Sequence, residues 1–158
     1  MDEIDSEIVR TLARSGRSTW ASLGERVGLS APAVHERVHK LEASGTIRGY
    51  SATVDPDQVN RGTAALIFIR TDGNARERGQ LETDLAREPV ILELHEVAGD
   101  DCYLAKVRVE STAELAALLS RLRERHPGLS SRSSVVLRSV FERPLLWPIE
   151  DPPPLSQL

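Results

Sequence analysis

Residues 28–50, GLSAPAVHERVHKLEASGTIRGY, hold the pattern that decides the first part of the fold. Val34, Val38 and Leu41 recur at intervals of three and four residues, which predicts a helix with one apolar stripe. Ser30 is a typical N-cap residue, and Gly45 is typical of the position just beyond a helix. The opposite face of this helix carries imidazole and charged side chains, so it is predicted to lie at the surface.

The chain before this helix predicts two more helices. Apolar residues recur every four positions in the first of them, behind an acidic cap: Asp2, Ile4, Ile8 and Leu12. A second, short helix is predicted from Trp20 to Val27, with Ser18 or Thr19 as its cap. Gly28 can adopt the positive φ that a tight turn needs. A helix, a glycine turn and a capped helix form the helix-turn-helix pattern.

Residues 46–54, TIRGYSATV, follow the third helix and predict a short β wing. Ile47 and Val54 are the apolar positions of this segment, and Gly49 is predicted to lie at a hairpin bend. The first module is therefore a winged helix-turn-helix.

The exposed face of the third helix allows three interpretations. In the first, residues near its N-terminus contact DNA base edges while Arg37, Lys40 and Arg48 contact phosphates. In the second, His35 and His39 bind a zinc ion, which would need a third and usually a fourth ligand. In the third, the face is simply solvated. The preceding helix and the glycine turn favour the DNA interpretation.

The charge distribution and the single cysteine limit which kinds of partner and which cellular compartment we expect for this protein. Residues 8–50 carry seven basic and three acidic side chains, whereas residues 55–158 carry 13 basic and 17 acidic ones. A basic segment joined to an acidic one fits a polyanion-binding module attached to a second module. Cys102 is the only cysteine, which excludes an intramolecular disulfide and favours a reducing compartment. With no long apolar run and no basic, apolar leader, we expect a cytoplasmic protein that has no membrane partner.

The second module alternates strands and helices in the order βαββαβ, which is the ferredoxin-like pattern. Strands are predicted at 62–71, 90–98, 102–110 and 133–141, and helices at 74–88 and 111–125. Gly99, Asp100 and Asp101 form the predicted turn between the second and third strands.

The first predicted strand is apolar on both faces from Ala64 to Ile69. Two helices cover only one face of such a sheet, so the other face needs a partner, most simply a second copy of the same sheet. We therefore expect a homodimer through this module. Dimerisation would place two recognition helices about one turn of DNA apart.

Motifs spread over residues 2–56 resemble the DNA-binding half of the Lrp/AsnC family of feast-or-famine regulators. They are DEID at 2–5, the turn at 23–29, RV at 37–38, LE at 41–42, Gly45, IRGY at 47–50 and DP at 55–56. The resemblance implies a winged helix-turn-helix that binds double-stranded DNA as a homodimer or a larger assembly such as an octamer. The helix face and the resemblance together give these predicted DNA contacts: Ser30, Ala31, Pro32, Ala33, His35, Glu36, Arg37, His39, Lys40 and Arg48.

Two stretches of the second module, VAGDDCYLAKV at 97–107 and HPGLSSRSSVVL at 126–137, resemble the effector-binding half of the same family. The resemblance implies that a small effector, usually an amino acid, binds between subunits near the glycine turn and the start of the last strand. The matching positions are Gly99, Asp100, Asp101, Ser131 and Ser133. Their chemistry suits a zwitterion, because carboxylates bind an ammonium group while hydroxyls and backbone amides bind a carboxylate.

These patterns predict an α+β regulator with no catalytic residues, no metal and no cofactor, whose effector changes DNA binding or assembly. One alternative is a tetrapyrrole (sirohaem) decarboxylase of the same two-module layout, in which His95 and Lys106 would contact the macrocycle. The other is an amino-acid-sensing or oligomer-forming module with no DNA target. The expected boundaries are residues 1–54 for the winged helix-turn-helix, 55–61 for a linker, 62–143 for the ferredoxin-like effector-binding and oligomerisation domain, and 144–158 for a proline-rich tail.

Overall fold

A computed structural model describes residues 1–142 of the chain, so the predicted tail at 144–158 lies outside the described residues. The described residues divide into two compact units, one of Met1–Thr53 with residues 140–142 and one of Val54–Ser139. The N-terminal unit is a helix-turn-helix and the C-terminal unit is an α+β sheet domain. The predicted fold class is thereby confirmed.

Three helices make up the first unit: α1 (Glu3–Arg14), α2 (Trp20–Val27) and α3 (Ala31–Ala43). Each begins at the kind of residue that satisfies free backbone N–H groups, namely Asp2, Thr19 and Ser30. The apolar stripes of the helices meet in one core, formed by Ile8, Leu12, Leu23, Val34, Val38 and Leu41. Burial of these six side chains fixes α3 with its opposite face outward.

The turn between α2 and α3 depends on two glycines. Gly28 caps α2 in the left-handed conformation with φ 71°, which glycine adopts without steric penalty. A Cβ at Gly24 would lie 2.4 Å from the carbonyl oxygen of Leu29, so the backbones come too close there for any side chain. The turn therefore fixes the direction of α3 relative to α2.

The prediction of a β wing is wrong for this chain, because residues 46–54 contain no strand. Ile47 instead donates its N–H to the carbonyl of Leu41 and packs on the core of the first unit. The Tyr50 hydroxyl donates to the Glu42 carboxylate at 3.0 Å. A strand requires a paired neighbour, and no segment within residues 1–142 pairs with this one, so it remains an extended cover on α3.

The second unit is built on four strands and two helices in the predicted βαββαβ order. After a 3₁₀ turn at Asp57–Val59, these are β1 (Thr63–Thr71), α4 (Ala75–Ala86), β2 (Ile91–Glu96), β3 (Tyr103–Val109), α5 (Thr112–Arg125) and β4 (Leu129–Val135). The strands form one antiparallel sheet in the order β2-β3-β1-β4. Strand β1 is therefore central although it is first in sequence.

The fourth strand lies four residues before its predicted start. Serine-rich residues form it, and pairing with β1 runs from Leu129 opposite Thr71 to Val135 opposite Ala65. The apolar run that predicted a strand at 133–141 instead leaves the sheet, and Leu137 is 98% exposed. Pairing with most of β1 outweighs local apolar content here, because an edge strand with exposed side chains tolerates serine and arginine.

The sheet has a covered face and an open face. On the covered face, Ala65, Ile67 and Ile69 of β1 are fully buried in a core shared with leucines of α4 and α5. Alternation along the strands turns Leu66 and Phe68 to the other side, where they are only half-buried. We call this other side the open face; across it also lie Leu104, Lys106 and Arg132.

Candidate DNA-binding and effector sites

The outward face of α3 presents the side chains that the sequence predicted there. Pro32, His35, Glu36, His39 and Lys40 are all exposed, on the side opposite the buried stripe. At the start of the helix, the Ser30 hydroxyl accepts the Ala33 N–H at 3.4 Å, and Ala31 and Ala33 are partly exposed beside it. Small residues near the N-terminus leave room for another molecule to approach the backbone of this helix.

His35 is oriented by an aromatic neighbour. Its ring meets Trp20, at the first position of α2, edge to face with ring centroids 6.0 Å apart. Such a pair restricts the imidazole and joins the exposed surface of α3 to the start of α2. Within residues 1–142, no three histidine, cysteine or carboxylate side chains come together as metal ligands, so His35 and His39 have no third ligand there.

The two remaining basic residues of the predicted DNA surface, Lys40 and Arg48, point to solvent. Both are exposed, and neither forms an ion pair with any residue that the structure describes. Neither the Lys40 ammonium nor the Arg48 guanidinium is therefore held by a direct ion pair within residues 1–142. Such cations are what a phosphate backbone attracts.

Arg37 differs from these two residues because its guanidinium is bound within the first unit. Its Nη1 lies 2.6 Å from Asp2 Oδ2 and 2.7 Å from Asp5 Oδ1. The Asp5 backbone N–H and then the Arg37 guanidinium lower the pKa of the Asp2 carboxyl. Asp2 and then Asp5 raise the pKa of Arg37. The sequence predicted a phosphate contact at Arg37, and its partners in the structure are these two carboxylates.

The predicted effector residues Gly99, Asp100 and Asp101 form the turn between β2 and β3. Val97 donates its N–H to the Cys102 carbonyl across this turn, and Gly99 has φ 128°. Asp100 is exposed, whereas Asp101 forms an ion pair with Arg132 of β4 at 3.2 Å.

The structure separates Ser131 and Ser133 from this carboxylate. They stand opposite Ile69 and Ile67, the β1 residues that face the helices, and Arg123 of α5 donates to the Ser131 hydroxyl at 3.4 Å. The residue between them, Arg132, lies on the open face instead. It therefore reaches Asp101, which the serine hydroxyls do not.

Sequence reasoning missed Arg132 and Phe68 as part of this site. The Arg132 guanidinium carbon lies 4.3 Å above the centre of the Phe68 ring, a cation–π contact that holds the arginine against the open face. Strict alternation along β4 would have identified Arg132, because the residue between Ser131 and Ser133 faces the other side of the sheet. The prediction of β4 at 133–141 hid that alternation.

His95 and Lys106, the side chains considered for tetrapyrrole binding, share a different partner on the sheet. His95 Nε2 lies 3.2 Å and Lys106 Nζ 3.3 Å from the Glu93 carboxylate. Hydrogen bonds from His95 and then Lys106 lower the pKa of Glu93. Both basic groups thus contact one carboxylate, next to the apolar part of the open face.

Among residues 1–142, none of the helices has the length and apolar character required to cross a membrane.

Two family models cover most of the chain. The AsnC-type helix-turn-helix domain matches residues 1–42, and the Lrp/AsnC ligand binding domain matches residues 64–146. The HTH-type transcriptional regulator LrpA of Mycobacterium tuberculosis is 34% identical over 89% of this chain and 93% of its own length.

Solved structures give the same result. A feast or famine regulatory protein from Mycobacterium tuberculosis, complexed with L-methionine, has a TM-score of 0.80 and 33% identity, covering 92% of this chain and 98% of that one. A transcriptional regulator from Neisseria meningitidis, also in complex with L-methionine, has a TM-score of 0.83 and 26% identity, covering 90% and 94%. The names of the relatives confirm a regulator and leave the decarboxylase alternative without support. The chain belongs to the Lrp/AsnC family of DNA-binding transcriptional regulators.

Proposed function

We propose that this regulator binds double-stranded DNA as a homodimer through α3, and that an amino acid bound at the Gly99–Asp101 end of the sheet changes DNA binding or assembly. The observation that carries the proposal is the exposed face of α3, with Lys40 and Arg48 unpaired among the described residues. A helix held by its buried stripe, with an opposite face that is polar and cationic, suits the major groove of DNA. Because DNA is the partner, we propose a cytoplasmic location.

The proposed contacts divide by chemistry. Residues at the start and along the exposed face would read base edges: Ser30, Ala31, Pro32, Ala33, His35, Glu36 and His39. Lys40 and Arg48 would neutralise phosphates, which fixes the register of the helix without reading sequence. Arg37 is left out of this set because Asp2 and Asp5 already bind its guanidinium.

Dimerisation is proposed through the open face. Leu66, Phe68 and Leu104 are half-buried there with no helix of the second unit above them. A second copy of the sheet would remove these side chains from water and place two α3 helices for adjacent half-sites on DNA. An octamer is a larger assembly that dimers of this kind could form.

The proposed effector is an amino acid, as in the relatives that were crystallised with L-methionine. Its ammonium would bind Asp101 or Asp100, and its carboxylate would bind Arg132. The zwitterion would thus replace the 3.2 Å ion pair between Asp101 and Arg132 with two pairs of its own. This assignment takes Arg132 as the carboxylate partner in place of the hydroxyls of Ser131 and Ser133.

The DNA proposal is tested by fluorescence anisotropy on DNA from upstream of the protein's own gene, at several salt concentrations and with competitor DNA. Lys40→Met should weaken binding to all sequences and reduce the salt slope by roughly 0.9, the effect of one lost phosphate contact. Arg87→Met is the matched control, since that side chain is 76% exposed and lies at the C-cap of α4 in the other unit. Equal slopes for wild type, Lys40→Met and Arg87→Met would contradict DNA binding by this face.

The effector proposal is tested by calorimetric titration with a panel of amino acids, followed by the anisotropy assay with any that bind. Asp101→Asn should abolish binding of the amino acid that wild type recognises, while the exposed control Glu124→Gln should retain it. A wild-type protein that binds no amino acid would remove the effector from the proposal and leave the DNA reader intact.

A further inference from the structure

Arg37 lies in the middle of the proposed DNA-reading helix α3, yet its contacts lead to the first residues of the chain. A single nitrogen, Nη1, lies within 2.7 Å of two carboxylates, one from Asp2 and one from Asp5. These residues stand at the N-terminus of α1. The three side chains, which we call the Arg37 bridge, are the charged link between the start of α1 and the centre of α3.

Each carboxylate of the Arg37 bridge has two tasks. Asp2 Oδ1 accepts the Asp5 N–H at 2.7 Å, and Asp5 Oδ2 accepts the Asp2 N–H at 3.4 Å, which together form the capping box of α1. Their other oxygens, Asp2 Oδ2 and Asp5 Oδ1, bind Arg37. The same two residues therefore begin α1 and hold α3 against it.

The charge of the bridge argues against a phosphate contact. One guanidinium sits between two carboxylates, so the cluster carries a net charge of about −1 when all three groups are ionised. A phosphate that approaches Arg37 also approaches Asp2 and Asp5. Lys40, one turn further along α3, is exposed and has no carboxylate partner among residues 1–142.

The bridge is also partly shielded from water. The side chain of Arg37 is 32% exposed and that of Asp5 is 20% exposed, whereas that of Asp2 is 52% exposed. Three charges in a half-buried network with two short contacts hold a geometry better than an isolated surface pair does. Movement of α3 about its buried stripe would stretch these contacts.

We infer that Arg37 is a positioning residue for DNA recognition: it fixes the orientation of α3 through the N-terminus of α1 and does not neutralise DNA phosphate. This inference rests on the proposed DNA-binding function of α3. It assigns to Asp2 and Asp5 a part in DNA recognition, although neither carboxylate can bind a phosphate.

The test compares Arg37→Met and Arg37→Lys with wild type, at a temperature where circular dichroism shows each variant fully folded. Arg37→Met should lower affinity for the specific site by roughly tenfold, with a smaller loss on competitor DNA and an unchanged salt slope. Arg37→Lys should restore part of the affinity, because both contacts of Arg37 go to one nitrogen that an ammonium can replace. A purely structural role would change the melting temperature and leave this specificity ratio intact.

A second pair of variants keeps the test valid if Arg37→Met does not fold. Asp5→Asn removes one carboxylate of the bridge, and Glu3→Gln removes a neighbouring exposed charge that has no partner among the described residues. Asp5→Asn should bind the specific site severalfold more weakly than Glu3→Gln, at equal salt slope.

Three results would overturn the inference. The first is a salt slope that falls by roughly 0.9 in Arg37→Met, which would make Arg37 a phosphate contact. The second is tighter binding with a steeper slope in Asp5→Asn than in Glu3→Gln, since the acids would then be masking Arg37. The third is a folded Arg37→Met with wild-type affinity and specificity. Failure of the proposed function is distinguished by Lys40→Met, whose slope would then equal that of wild type.

Discussion

Replacing Tyr103 with phenylalanine tests how strongly one buried hydrogen bond ties α4 to the sheet. Tyr103 begins β3, two residues after Asp101 of the candidate effector turn, and is 2% exposed. Its hydroxyl donates to the Glu82 carboxylate at 2.6 Å. Tyr103→Phe keeps the ring in the core and removes only this donor.

The expected loss in the free energy of unfolding is about 1.5 kcal/mol. Hydrogen bonds to charged groups contribute about 1.5–3 kcal/mol, and the lower end applies because Glu82 is exposed and its carboxylate regains water in the variant. For a unit of this size, such a loss lowers the melting temperature by about 6–12 °C.

The pH dependence gives a second, independent signature. Burial and then the hydrogen bond to Glu82 raise the pKa of Tyr103 to about 12. Because this pKa is raised on folding, the stabilisation is complete below the unfolded value near 10 and is lost as the pH rises through about 12. The stabilities of wild type and Tyr103→Phe should therefore converge between about pH 10 and pH 12.

Differential scanning calorimetry at equal protein concentrations measures both effects, and Tyr50→Phe is the matched control. Tyr50 also donates to a carboxylate, that of Glu42, and burial together with this bond raises its pKa to about 12. Its side chain is 49% exposed, so water replaces the bond and a loss below about 0.5 kcal/mol is expected. Equal losses in the two variants, or none in Tyr103→Phe, would refute the argument from burial.

Two further predictions concern the first unit. The Asp5 N–H and Arg37 lower the pKa of Asp2, so the ionised Asp2 carboxylate stabilises the folded state. This stabilisation is complete above about pH 4 and is lost as the pH falls through the pKa of Asp2 in the folded state. Helical circular dichroism during acid titration should therefore fall less steeply in Asp2→Asn. Gly24→Ala should lose about 2 kcal/mol or more in urea unfolding, because its Cβ would lie 2.4 Å from a turn carbonyl oxygen. Gly79→Ala, whose Cβ meets nothing, should be neutral or stabilising by up to about 1 kcal/mol.

The helices were predictable because their signals are local. Caps lie within three residues of the N–H groups that they bind, and apolar stripes repeat within one or two turns. Asp2 and Ser30 therefore mark helix starts in sequence as they do in the structure, and of the two candidate caps for α2, Ser18 and Thr19, the structure uses Thr19.

The sequence-based predictions failed where residues far away in the chain determine the local structure or the contacts of a side chain. Residues 129–135 contain little that favours a strand, and only pairing with β1 makes them one. The predicted wing lacks a paired neighbour within the described chain, which its own sequence does not reveal. At the candidate sites, the partners of Arg37 lie more than thirty residues away, and the Asp101–Arg132 pair spans 31 positions. Nothing near Arg37 or Arg132 in the sequence indicates which carboxylate each will bind.

The central place of β1 in the sheet also has a consequence for how the protein is made. The helices of the first unit need only nearby contacts and can fold soon after synthesis, whereas β1 must wait for β3 and then β4. During that interval one edge of an apolar strand offers unpaired N–H and C=O groups to any other nascent chain. The strand that finally closes this edge, LSSRSSV, is polar enough to stay unpaired in water until then. Slow translation across residues 110–128 would lengthen the exposure of β1 and favour aggregation over folding.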